Sequence, residues 1–322
     1  MPSNIEWTDE TWNPVTGCTK VSPACAHCYI ERTPPFRMAG RKFVKGDIPV
    51  VLHPERLTVP LRWKSPKRVF VNSLSDLFHE DVPFEFVDRV FAVMALSPQH
   101  VFQVLTKRPE RMREYLTARR YHHESLGHVP TWEWIVMAMS WASPSALATT
   151  EADLRVRRNW PLPNVWLGVS VENQRWADVR IPELLATPAA VRFLSCEPLL
   201  GPLSIERYLS FSTHTGPCSD WCCKARIDWV IAGGESGPGV LRSSDLAWFR
   251  SLRDQCRAAG TAFFLKQVGK VPRSAHAEQI VHPDNEGYGV FLGPESRTRL
   301  GDRKGGDWEE WPEDLRVREM PR

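Results

Sequence analysis

The sequence predicts an α/β fold, a partial or nearly complete parallel β/α barrel followed by a C-terminal extension. Three observations carry this expectation. Short β-rich runs recur along residues 1–270, most of them apolar on successive residues, as in strands covered on both faces. Stretches with helical spacing separate them, and such alternation implies parallel pairing through right-handed crossovers. Polar residues gather where the runs end, the place where β/α barrels carry their active sites.

In chain order, a first strand is expected near Thr11 to Thr16. The later runs are VFVNS from Val69, VFQVLT from Val101, VWLGVSV from Val165, VRFLS from Val191, DWVIAGG from Asp228 and AFFLKQ from Ala262. Pro83 to Leu96 spaces Phe84, Val87, Phe91 and Met94 as a helix does, and Arg108 to Arg120 reads as a basic amphipathic helix. Ser244 to Ala259 reads as a helix with a serine cap and a stop at Gly260. Insertions are expected near 118–164, where TWEWIVMAMSWA predicts an added helix, and near 207–226. Residues 271–322, rich in Gly, Pro and charge, read as an extension packed on the barrel.

With 322 residues, 42% hydrophobic and 25% charged, the chain has a globular composition, which excludes a disordered protein. No apolar run approaches the roughly 18 residues of a membrane span, and MPSNIEWTDETW carries no secretory signal. A cytoplasmic protein without membrane partners is expected. A net charge of +3 does not mark a nucleic-acid binder. Eight cysteines without a secretory signal point to metal or redox chemistry rather than a disulfide scaffold.

Cys18, Cys25 and Cys28 lie in WNPVTGCTKVSPACAHCY, with six residues between the first pair and two between the second. Structural zinc usually takes four closed ligands. Three thiolates instead suit a 4Fe–4S cube with one iron left for a small molecule. His27 could complete a zinc site, although it competes sterically with its neighbour Cys28.

A three-cysteine loop after a first strand, ahead of a β/α barrel, resembles the radical S-adenosylmethionine (SAM) superfamily, whose usual spacing has three residues between the first two cysteines. A closer resemblance is to a phage- and prophage-associated three-cysteine family without assigned activity, itself similar to the spore photoproduct lyase branch. It rests on WNPVTGC, NSLSDLFH, LTKRP, GVSVEN, EPLLGP, DWVIAGGESGPG, FFLKQ and a GG-DWEEWP-like tail. The resemblance implies a cluster on Cys18, Cys25 and Cys28, SAM bound to it, hydrogen abstraction from a substrate, and a reductant such as flavodoxin or ferredoxin. By the same likeness Ser170 and Glu172, alternate residues on one strand face, would meet the SAM ribose, with Asn173 next in line. Asn173 has a helix-cap alternative. Ser73 and Asp76 would meet the SAM amine, and Glu235 the substrate or adenosine. Gly233 and Gly234 would allow close backbone approach and leave amides for an anion, or form a tight turn.

Cys196 is the candidate hydrogen donor implied by the lyase likeness, unless strand alternation turns it to the helices as a packing residue. Cys218, Cys222 and Cys223, with His214, are candidates for a zinc or auxiliary cluster, or form a reduced loop. Lys107, Arg108, Arg111, Arg113, Arg119 and Arg120 could track phosphates or form a solvated face. Together these features lead to a radical SAM enzyme acting on a nucleobase or nucleotide. The alternative is a non-catalytic, zinc- or cluster-stabilised nucleic-acid-binding protein.

Overall fold

A computed structural model describes residues 3, 5–123, 127–142, 146–209, 225–237, 241–274, 278–281, 289–292, 300–302 and 304–321. The chain divides into two compact units. The first comprises Met1–Val21, Ile30–Val169 and Pro182–Arg192, and the second Ser22–Tyr29, Ser170–Ile181 and Phe193–Arg322. The fold is α/β with a seven-stranded parallel sheet.

In the first unit the expected first strand is two strands. β1 (Glu10–Trp12) joins the sheet beside β4 (Arg68–Val71). β2 (Val15–Thr19) leaves it and pairs antiparallel with β3 (Asp47–Leu52), beyond the short helix α1 (Pro34–Met38). The β2–β3 register shifts between Thr16 and Cys18, at Gly17. There φ is +100°, and a Cβ would lie 2.1 Å from the Pro49 carbonyl oxygen. Only glycine fits that bulge, and Cys18 follows it within β2, opposite Ile48.

The crossover α2 (Phe84–Leu96) leads to β5 (Val101–Thr106), which pairs with β4. α3 (Pro109–Thr117) is shorter than expected. Arg119 and Arg120 belong instead to β6 (Arg119–His123), which forms a hairpin with β7 (Gly127–Pro130). Ala118 is extended, and Arg120 leaves the helix to stack on Trp134 at 4.7 Å and donate to the buried Asp88 at 2.6 Å. The first insertion adds α4 (Thr131–Ala142), over the expected segment, and α5 (Ala146–Arg158) before β8 (Val165–Ser170) returns to pair with β5. Val69, Val71, Phe102, Val104 and Val169 are 0% exposed, as the apolar runs predict.

After α6 (Gln174–Leu185), β9 (Val191–Cys196) and the short α7 (Glu206–Leu209), β10 (Trp229–Gly233) pairs with β9. β11 (Ser244–Asp245) and α8 (Leu246–Ala259) precede β12 (Ala262–Gln267), which pairs with β10. The cap of α8 is Asp245, not a serine. Its carboxylate accepts the Ala247 N–H at 2.9 Å, while Ser244 bridges to Pro272 in β11. Gly260 ends α8 at φ +67°. The tail follows β12: Leu265 N–H donates to Val317 C=O, and Glu319 N–H to Phe263 C=O. The C-terminal residues thus belong to the same compact unit as β10 and β12.

Of the second insertion, residues 210–224 lie outside the described residues, and with them His214, Cys218, Cys222 and Cys223. Among the described residues no helix is long and apolar enough to cross a membrane.

Candidate functional site

In the first unit, chemistry gathers around Cys18. Arg108, placed just beyond β5 and 9% exposed, directs Nη1 to the Cys18 Sγ at 3.9 Å. Its guanidinium also donates to Asp76 at 3.3 Å, Glu80 at 3.0 Å and the Thr19 carbonyl at 3.4 Å. Asp76, 5% exposed, further accepts the Thr106 hydroxyl at 2.7 Å and the backbone N–H groups of Phe78 and Lys107 at 3.0 and 2.9 Å. With four donors on its two oxygens, Asp76 is the fixed anchor of Arg108. Burial pushes the Cys18 thiol up to about 12, Asp76 adds to the rise and Arg108 opposes it. Such a thiol keeps its proton at neutral pH unless a metal displaces it. Ser73 lies on the turn after β4, where its hydroxyl donates to the Asn13 side chain at 3.2 Å.

In the second unit, the segment Ser22–Tyr29 carries Cys25 and Cys28. Cys25 ends a 3-10 turn opened by Pro23, and the Cys28 N–H donates back to the Cys25 carbonyl at 3.3 Å. Three contacts tie this segment down. Arg242 donates to the Pro23 carbonyl at 2.9 Å, the Ala24 N–H to Glu172 at 3.4 Å, and His27 Nδ1 meets Glu235 at 3.1 Å. Glu235, 6% exposed, also accepts the Arg242 N–H at 2.9 Å and Nε at 3.1 Å. Burial alone would raise this carboxyl, but Arg242 and His27 outweigh it and hold it below the ordinary value.

Glu172 is completely buried and pairs with Arg180 at 2.9 Å. Arg180 also donates to the Ser170 carbonyl at 2.7 Å and stacks on Trp176 at 4.1 Å. The residues expected at a ribose thus share one buried arginine. Asn173 caps α6, accepting the Trp176 N–H at 3.2 Å, as its cap alternative predicted.

The glycines lie close against protein atoms. A Cβ on Gly233 would meet Glu197 at 2.8 Å, and one on Gly234 would meet the Val268 carbonyl oxygen at 2.2 Å. The Gly234 N–H donates to the Gln267 carbonyl at 2.9 Å, so the expectation of an unoccupied amide there is corrected. Sequence reading missed the pair formed by Glu197 and Lys266 at 3.0 Å across the ends of β9 and β12. It also missed the tethers on Ser22–Tyr29, because Arg242 belongs to no motif.

Cys196 is fully buried, and its thiol is pushed well above the ordinary value by burial and then by neighbouring Cys256 of α8. Its burial beside Cys256 is what the packing alternative expects. The basic segment is largely paired. Arg108 is held as above, Arg113 meets Glu183, Arg120 meets Asp88, and Arg111 donates to the Val82 carbonyl and covers Phe84.

A groove of about 1060 Å³ lies at the other ends of β10 and β12, lined in part by Arg226, Asp228, Arg253 and Asp314. Its ion pairs Arg226–Asp228 and Arg253–Asp314 are satisfied, and it lies away from the strand ends described above. Among the described residues, no three His, Cys, Asp or Glu side chains converge to hold a single metal ion. A 4Fe–4S cube takes one thiolate per iron, so its cysteines surround a cube rather than a single ion.

No curated protein and no solved structure matches the chain. A family model described as a protein of unknown function (DUF5131) matches residues 2–309, nearly the whole length, and the chain belongs to that family.

Proposed function

We propose that this protein is a radical SAM enzyme that holds a 4Fe–4S cluster on Cys18, Cys25 and Cys28. The carrying observation is the three-cysteine motif: partly exposed thiols outside any disulfide, in six-and-two spacing, with Cys18 on β2 and Cys25 and Cys28 in the segment that follows, after the first strand of a parallel sheet. The donor set fits the group, because soft thiolates supply one ligand to each of three irons. A cluster bound there would supply the one-electron reduction that cleaves a carbon–sulfur bond of SAM and so initiates hydrogen abstraction from a substrate.

Within each unit the chain's own residues hold its cysteines. Gly17 forms the bulge beside Cys18, while Arg242, Glu172 and Glu235 fix the segment bearing Cys25 and Cys28. Glu172 and Glu235, being committed to arginines, serve this reading mainly as supports of that segment. The nucleotide substrate and the flavodoxin or ferredoxin donor rest on the resemblance, since Arg108, Arg113 and Arg120 of the basic segment are paired within the protein.

One observation favours the zinc reading. His27 places Nδ1 on Glu235, the carboxylate-oriented arrangement typical of histidines that ligate zinc through Nε2. Anaerobic purification separates the two. A brown protein containing iron and sulfide supports the enzyme, and a colourless protein with one zinc supports the alternative.

A further inference from the structure

We infer that Arg108 is a positioning residue that donates to the Cys18 sulfur and holds a positive charge against the cluster, raising its reduction potential. This inference rests on the reading above and names a regulator of the same site. The geometry is specific. The guanidinium is 9% exposed, its Nη1 lies 3.9 Å from Cys18 Sγ, and Asp76, Glu80 and the Thr19 carbonyl hold its other N–H directions. Thr106 braces both ends, donating to Asp76 at 2.7 Å and accepting the Arg108 N–H at 2.9 Å.

A reduced cluster carries more negative charge on its sulfurs, so a donor and cation beside a ligating sulfur stabilise the reduced state more than the oxidised one. Arginine suits this role because it stays protonated and its planar fork spans several acceptors at once. Lysine keeps the charge but cannot reproduce the fork. Asp76 and Glu80 fix the guanidinium and temper its charge.

Potentiometric titration followed by electron paramagnetic resonance tests the inference on iron-loaded wild type, Arg108→Met, Arg108→Lys and Glu80→Gln. The Met variant should shift to lower potential, and the Lys variant should recover part of that shift. Glu80 is 62% exposed, so its Gln variant should fold. It should shift upward, because Arg108 then loses a compensating charge. Should Arg108→Met not fold, the upward shift in Glu80→Gln and a smaller downward shift in Arg108→Lys carry the test. Loaded variants with the wild-type potential would overturn the inference and leave the cluster reading standing. A correctly folded wild type that never takes up iron would overturn both.

Discussion

Glu172 and Arg180 form an ion pair that solvent does not reach: their charged atoms are 2.9 Å apart and their side chains 0% and 1% exposed. Removing one partner leaves the other charged and unpaired in the interior, which costs on the order of 3–5 kcal/mol. Glu172→Ala and Arg180→Ala should each lower the midpoint of urea unfolding strongly. Glu172→Ala should also loosen the Ala24 contact and speed iron loss from the loaded protein. An unchanged urea midpoint would show that the pair is not formed in solution.

Two glycines separate steric need from backbone need. Gly234→Ala would drive a Cβ to 2.2 Å from the Val268 carbonyl oxygen, and the obstructing atoms, of Val268 and Gly269, are backbone that cannot swing aside. This variant should be insoluble or unfolded. Gly260→Ala meets nothing within 4 Å and bears only the left-handed strain at φ +67°, a loss of about 1–2 kcal/mol. Equal stability of the two variants, measured by thermal melts, would contradict the packing described between Gly234 and Val268.

The Arg250 and Arg253 guanidinia beside Asp314 hold its carboxyl at about 2, below its ordinary value of 3.8. The ionised form is therefore favoured by folding. Its stabilisation is present above the ordinary value and is lost as pH falls through about 2. The side chain is 47% exposed, so the contribution is at most about 1 kcal/mol. Asp314→Asn should melt below wild type at pH 7, and the gap should narrow between pH 4 and pH 2. A gap that stays constant over that range would contradict the assignment.

The strands were legible because residues buried on both faces must be apolar without interruption, and β5 and β12 match their predicted runs at both ends. Helix α2 was legible from its spacing and its proline start. The end of α3 was not, since Arg120 follows a tertiary demand from Asp88 and Trp134 that no local pattern encodes. In the candidate site, spacing singled out the cysteines and strand ends singled out Asp76, Glu172 and Glu235. Their partners were not legible, because sequence shows a carboxylate but not the arginine that pairs with it. Arg108 looked like part of a solvated basic face and is a buried partner of Cys18. Only the fold could bring those two together.

The cluster assignment is tested most directly by iron and acid-labile sulfide content after anaerobic reconstitution, for wild type and for Cys18→Ala, Cys25→Ala and Cys28→Ala. A cube held by three thiolates predicts about four irons and four sulfides per wild-type chain and loss of most of both in every single variant. Its paramagnetic signal, once reduced, should change when SAM is added. Full iron content in Cys25→Ala, or a wild-type protein that binds one zinc and no iron, would contradict the account.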